Sequence, residues 1–109
     1  MALDVAGVAE QMLQASKGVF AGKWPKAKAY AESEFKKLAE TLAMIEKLRL
    51  SGQITEEEAG LQLQIQKNAT RSVLLTLKGL GLLMVEEALN AALNVVKKAV
   101  NTAVEFPLI

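Results

Sequence analysis

Residues 73–85, which read V-L-L-T-L-K-G-L-G-L-L-M-V, decide the fold because they interrupt what otherwise reads as one long helical pattern. Only Thr76 and Lys78 in this stretch are polar. A helix that is apolar on every side must be surrounded by protein or lipid. The stretch therefore predicts an element that is covered by the rest of the chain, by a partner or by a membrane.

The same stretch contains the point at which the helical pattern is expected to break. No proline occurs between Thr55 and Val104, and one helix of about 50 residues would be ~75 Å long. A compact chain of this length has a radius of gyration of roughly 13 Å. We therefore predict a turn at Gly79-Leu80-Gly81. The alternative is that the third and fourth helices merge into one long helix in an oligomer.

Glycine and proline divide the rest of the chain into pieces of similar length. Gly22 is a candidate C-terminal stop for the first helix, Pro25 suits the first turn of the second, and Gly52 can end it in a left-handed conformation. Near-equal helices with short connections are typical of an up-down-up-down bundle. We predict an all-α four-helix bundle that forms a single domain over residues 1–109, with helices at about residues 3–21, 25–51, 55–78 and 82–104.

The start of the third helix carries the most specific local signal. In Thr55-Glu56-Glu57-Glu58, the Thr55 hydroxyl can accept from the Glu58 amide while the Glu58 carboxylate reaches back, which is a capping box. The following residues 61–66 alternate Leu/Ile with Gln, as a half-buried strand would. We still predict helix there, because no second strand is available to pair with this one.

The composition excludes several classes of chemistry. The chain has neither cysteine nor histidine, which removes thiolate nucleophiles, Cys/His zinc sites and the Ser-His-Asp triad. No glycine-rich phosphate loop is present. We therefore expect no enzyme activity, no cofactor and no metal. The lack of cysteine also favours a cytoplasmic location, since small secreted domains often need disulfides.

Carboxylates leave two alternatives open. Glu10, Glu40, Glu58 and Glu86 fall one on each predicted helix, so an all-carboxylate metal site is conceivable in a bundle. Glu86 and Glu87 lie beside the most apolar stretch and are candidate general bases. The simpler interpretation, which we favour, is that all of them are ordinary surface or capping acids.

The charge pattern argues against nucleic acid and against a membrane-spanning helix. The formal net charge is +1, and acids interrupt the basic residues of the second helix. A nucleic-acid footprint would be denser and more one-sided. No window reaches the ~20 apolar residues of a transmembrane helix.

The fourth helix combines a polar stripe with an unusually wide apolar arc, so it should contact more than one neighbour. Within the stripe, Asn90, Asn94 and Asn101 could form a buried ladder that sets the register of an oligomer, although such a stripe more often faces water. Trp24 either closes one end of the bundle or marks a ligand or membrane-interface anchor, and we favour the first.

Function is expected to follow from the apolar surface. The leading hypothesis is a non-enzymatic structural or interaction protein that self-associates, or binds a protein partner, through the faces of the third and fourth helices. One alternative is a membrane-associated protein that inserts residues 73–85. The other is a binder of small hydrophobic ligands, with a cavity lined by Leu74, Leu77, Met84 and Leu89.

Overall fold

The computed structural model describes residues 3–109, which form four α-helices joined by short connections. The predicted all-α bundle is confirmed, and residues 61–66 are helical, as expected. The elements in chain order are α1 (Val5–Phe20), a 3-10 turn (Ala21–Lys23), α2 (Trp24–Leu50), α3 (Glu56–Leu75) and α4 (Leu82–Val104).

The first three helices run in alternating directions. The backbone N–H of Leu3 donates to Glu46 Oε1 at 2.7 Å, so α1 folds back along α2. Lys26 Nζ donates to the Lys78 carbonyl at 3.2 Å, so α3 ends where α2 begins. We call this end of the bundle the Gly79 end, and the opposite end, where α2 joins α3, the Gly52 end.

Helix α4 returns to the Gly52 end and completes the up-down-up-down order. The Arg49 guanidinium lies 5.1 Å from the centre of the Phe106 ring, which brings the residues after α4 to the end of α2. As predicted, α4 contacts several neighbours: it packs against α1, α2 and α3. The core is mostly aliphatic, and its large, fully buried side chains are Met12, Phe20, Phe35, Leu38, Leu42, Ile45, Leu74, Val85, Leu89, Val96, Val100 and Val104.

The break between α3 and α4 lies at the predicted position. Gly79 has φ +94°, a left-handed conformation that favours glycine, and Leu80 beside it is buried. Gly81 has φ −82° and ψ 164° and precedes α4 as its N-cap. The third and fourth helices are therefore separate in this chain, whose radius of gyration is 13.6 Å.

Two of the other predicted helix start and stop signals, the Thr55 capping box and Gly22, have opposite outcomes. The capping box is confirmed, because Glu58 N donates to Thr55 Oγ1 at 3.0 Å and Thr55 N donates to Glu58 Oε1 at 2.9 Å. At the end of α1, however, the positive φ falls on Ala21 and not on Gly22. Helix α1 therefore ends one residue earlier than it would if Gly22 were the residue with positive φ. Ala21 takes a conformation that favours glycine.

This observation gives a prediction at Ala21, whose backbone has φ 48° and ψ −117°. Such conformations cost a non-glycine residue about 1–3 kcal/mol, whereas glycine adds roughly 0.5–1 kcal/mol of entropy loss. Ala21→Gly should therefore raise the free energy of unfolding by about 1 kcal/mol, measured by urea denaturation. Ala29→Gly, at an exposed position inside α2, is the control and should lower it by about 1 kcal/mol. A lower free energy of unfolding for Ala21→Gly would contradict the inference that the Ala21 backbone is strained.

The interpretation of Trp24 as an end plug is confirmed. Its ring stacks on Phe20 with the ring centres 6.2 Å apart, and Lys17 Nζ lies 5.9 Å from the centre of the Trp24 ring. Because Phe20 is fully buried, this pair covers the core at the corner between α1 and α2.

Candidate interaction surface

The apolar stretch at residues 73–85 contains both buried and exposed side chains on each side of the turn. Leu74, Leu80 and Val85 lie in the core, whereas Leu82 and Leu83 are 57% and 73% exposed. The chain itself covers this stretch only in part, because the stretch forms the ends of two helices and not one continuous helix. Its exposed leucines are the beginning of a larger apolar surface.

Helix α3 extends that surface along its outer side. It buries only Ala59, Leu63, Thr70 and Leu74, which share one face of the helix. Residues spaced four, three, four and three apart share the opposite face, as in the contact stripe of a coiled coil. We call this set the α3 stripe: Leu61, Ile65, Asn68, Ser72 and Leu75, all of which are exposed.

The α3 stripe itself contains no charged residue, although the Arg71 guanidinium reaches it by donating to Asn68 Oδ1. Lys67 and Arg71 are the only charged residues between Ala59 and Leu75, and both are half-buried at its flanks. Arg71 pairs with Glu86 on α4, so it ties the two helices together. The residues beside the stripe, Gln62, Gln64, Ala69 and Thr76, carry no charge. Depletion of charge is the compositional mark of an interface core.

Exposed apolar residues on α3 share one face of the helix. The nine exposed large hydrophobic residues divide equally among α2, α3 and α4, and the three on α3 all belong to the α3 stripe. Leu61 and Ile65 are 58% and 63% exposed, although neither is at a chain end or in a loop. Single exposed leucines need no explanation, but several along one helix face indicate a binding surface.

The asparagine stripe of α4 does not form a buried ladder within the chain. Asn90 and Asn94 are exposed, in agreement with the simpler interpretation that they face water. Asn101 has a different role, because its Oδ1 accepts from Ile109 N at 3.0 Å and its Nδ2 donates to Ile109 O at 3.4 Å. It holds the C-terminal residues against the bundle, where Phe106, Leu108 and Ile109 cover part of the core.

The structure does not bring the four candidate glutamates together. Glu10 and Glu40 are exposed on separate helices, Glu58 belongs to the capping box, and Glu86 pairs with Arg71. Within residues 3–109, no group of three or more acidic residues is placed to hold a metal ion. The carboxylate metal site is therefore wrong, because each acid already serves a local purpose or faces solvent.

The candidate general bases also lie outside any cleft. Glu86 is half-buried, and besides its contact with Arg71 Nε it accepts from Arg71 Nη2 at 3.4 Å. Glu87 is exposed at the edge of the polar stripe. Both positions favour the simpler interpretation that these acids are structural.

Two buried carboxylates were not predicted from the sequence. Glu34 and Glu46 on α2 are each only 3% exposed. Glu34 accepts from Lys37 Nζ at 3.1 Å, and Glu46 accepts the Leu3 N–H. Helical spacing does carry a signal for both, because Glu34 lies three residues after Ala31 and Glu46 lies four after Leu42, on the buried side of α2.

The predicted aliphatic cavity has a different outcome. Leu74 and Leu89 are fully buried core residues, while Leu77 and Met84 are half-buried. An open groove of about 620 Å³ lies instead at the Gly52 end, with Leu3, Leu50, Val95, Ala99 and Ala103 among its lining residues.

No helix in the part of the chain that the structure describes combines the length and the hydropathy that crossing a bilayer requires. The chain matches no protein-family model, no curated protein and no solved structure.

Proposed function

We propose that this protein is a non-enzymatic interaction protein of the cytoplasm that self-associates through the outer faces of α3 and α4. The observation that carries the proposal is the α3 stripe, which presents Leu61, Ile65 and Leu75 to solvent along a line of uncharged residues. Complete burial of a leucine or isoleucine side chain stabilises by about 1.5–3 kcal/mol. Covering this stripe is therefore a substantial driving force for association.

A second copy of the chain is the partner that this face fits best. Most soluble oligomers are symmetric, and a two-fold interface uses the same patch on both subunits. An uncharged face can meet its own copy without repulsion, whereas the charged outer face of α2 cannot do so as easily. Helix α3 is also fixed to its own core by few buried side chains, so its outer side is the larger part of its surface.

The test compares two double variants by sedimentation velocity over a dilution series. Leu61→Gln with Ile65→Gln removes the apolar part of the stripe and keeps good helix formers, so we expect association to be lost while the helical circular dichroism remains. Tyr30→Gln with Met44→Gln is the matched control, since both residues are exposed hydrophobics on α2, and it should associate as the wild type does. Equal association of the two double variants would contradict the proposal.

One observation favours membrane-surface binding as a second candidate function. Leu82 and Leu83 are exposed beside the turn, and Lys23, Lys26 and Lys78 are exposed at the same Gly79 end. A basic cluster next to apolar side chains suits an anionic lipid surface, where each lysine contributes about 1 kcal/mol. For membrane-surface binding, we expect the wild type to float with phosphatidylserine vesicles in a density gradient and Leu83→Asp to abolish flotation. Failure of the wild type to float would remove this candidate.

A further inference from the structure

We infer that the α3 stripe pairs with the same stripe of a second copy in antiparallel orientation, about a two-fold axis near Asn68. This inference rests on the proposed self-association and specifies its geometry. It is carried by two features of α3: the charges at its two ends and the central position of Asn68 between Leu61 and Leu75.

The charges at the ends of α3 favour the antiparallel arrangement. Glu56 and Glu57 are exposed at its start, where Glu56 also lies 3.8 Å from Arg49 Nη2. Its end, at the turn, is surrounded by lysines, with Lys26 Nζ bonded to the carbonyl of Lys78. In a parallel pair, acids would face acids and lysines would face lysines. In an antiparallel pair, the acidic start of each helix meets the basic end of the other. The dipoles of the two helices then also point in opposite directions.

A third lysine strengthens the basic end. Lys23 Nζ lies 3.3 Å from the position that a Cβ atom would take on Gly79, so this ammonium group sits directly over the turn. The end of α3 therefore combines side-chain positive charge from α2 and from the turn itself. The complementarity arises from the tertiary structure, because Lys23 and Lys26 are distant from α3 in sequence.

Asn68 occupies the centre of the stripe. It lies midway between Leu61 and Leu75, so an antiparallel copy brings Leu61 beside Leu75 of that copy. The same operation places Ile65 opposite Arg71 and one residue from the small Ser72. Asparagine at a contact position of a coiled coil sets register and partner number, and Asn68 takes that position at the axis.

The hydrogen bonds of Asn68 prepare it for this role. Its Oδ1 already accepts from Gln64 Nε2 at 2.9 Å and from Arg71 Nη1 at 2.6 Å. These bonds fix the orientation of the side-chain amide and leave its Nδ2 group to donate to an amide oxygen of the second copy. A misaligned copy would place this polar group against leucine, so the register is selected by the cost of burying an unpaired amide.

The length of the stripe implies a reversible dimer. From Leu61 to Leu75 the helix rises about 21 Å, and a single helix face of that length lies at the small end of stable interfaces. We therefore expect the dimer population to rise with concentration, in contrast to a permanent assembly.

The absence of native cysteine makes disulfide cross-linking a direct test. Full-length Leu61→Cys and Leu75→Cys variants are oxidised separately and as a mixture. A disulfide needs Cα atoms within about 7 Å, whereas like positions at the ends of an antiparallel pair are ~21 Å apart. We expect the mixture to give a cross-linked dimer that contains both variants, little product from either variant alone, and ready self-cross-linking of Asn68→Cys. Met44→Cys on α2 is the control and should stay uncross-linked.

The contradicting outcomes separate this inference from the proposed function. Efficient cross-linking of Leu61→Cys with itself would show a parallel pair and overturn the antiparallel geometry. If the wild type dimerises but none of the α3 cysteines cross-link, association uses another surface, so the inference fails and self-association stands. A wild type that remains monomeric at every concentration would remove the proposed function itself.

Discussion

Leu74→Asp should unfold the protein, whereas the same replacement at Leu83, nine residues away in the same apolar stretch, should leave it folded. Leu74 is fully buried and Leu83 is 73% exposed. Loss of a core leucine costs about 2–5 kcal/mol, and the buried, unpaired carboxylate adds several more. Domains of this kind have a total stability of roughly 5–15 kcal/mol, so the first change should remove most or all of it.

Circular dichroism and urea denaturation measure both changes. For Leu83→Asp we expect a shift within about 0.5 kcal/mol, as for other exposed positions. Leu77→Asp should fall between the two, because Leu77 is half-buried in the turn and a carboxylate there can reach water. A wild-type denaturation midpoint for Leu74→Asp would mean that this end of α3 does not pack against the core.

The second large effect is expected at the turn, where Gly79→Ala should destabilise the protein by roughly 1–3 kcal/mol. Its φ of +94° is costly for alanine, while the nearest atom to the added Cβ is Lys23 Nζ at 3.3 Å. Because a lysine side chain can move, the cost comes from the backbone and not from a clash. Thermal or urea denaturation of the single variant measures it.

Gly81→Ala is the matched control for the turn. Gly81 has φ −82°, and an added Cβ would meet no atom within 4 Å. Its expected cost is below about 1 kcal/mol and comes only from a poorer N-cap. If Gly79→Ala were instead stabilising, the glycines would lie inside a helix, where each costs about 1 kcal/mol relative to alanine, and the bundle would have to open into a rod.

The helices could be predicted from the sequence because their ends carry local chemistry. Pro25, Gly52, the Thr55 capping box and Gly79 each act within a few residues, so short-range physics suffices to place them. The end of α1 could not be predicted in the same way. Local preference places a positive φ at Gly22, whereas the structure has it at Ala21, a residue type for which this conformation is costly.

The candidate surface could be predicted only in part, for a physical reason. Helix α3 has apolar residues on two sides: Leu63 and Leu74 on one, and Leu61 and Ile65 on the other. Helical spacing identifies both sides, but it does not decide which one packs against α2. That choice depends on how the whole bundle closes. The lysines at the Gly79 end come together in the same way, through the antiparallel packing of α2 and α3.

The mass of the wild-type protein in solution, measured by light scattering over a dilution series, tests most directly whether the exposed face of α3 is an association surface. We predict that the mass rises from 11.7 kDa toward twice that value as the protein concentration increases. For the double variant Leu61→Gln with Ile65→Gln, we predict that the mass stays at the monomer value. A wild-type mass of 11.7 kDa at every concentration would contradict the proposed association.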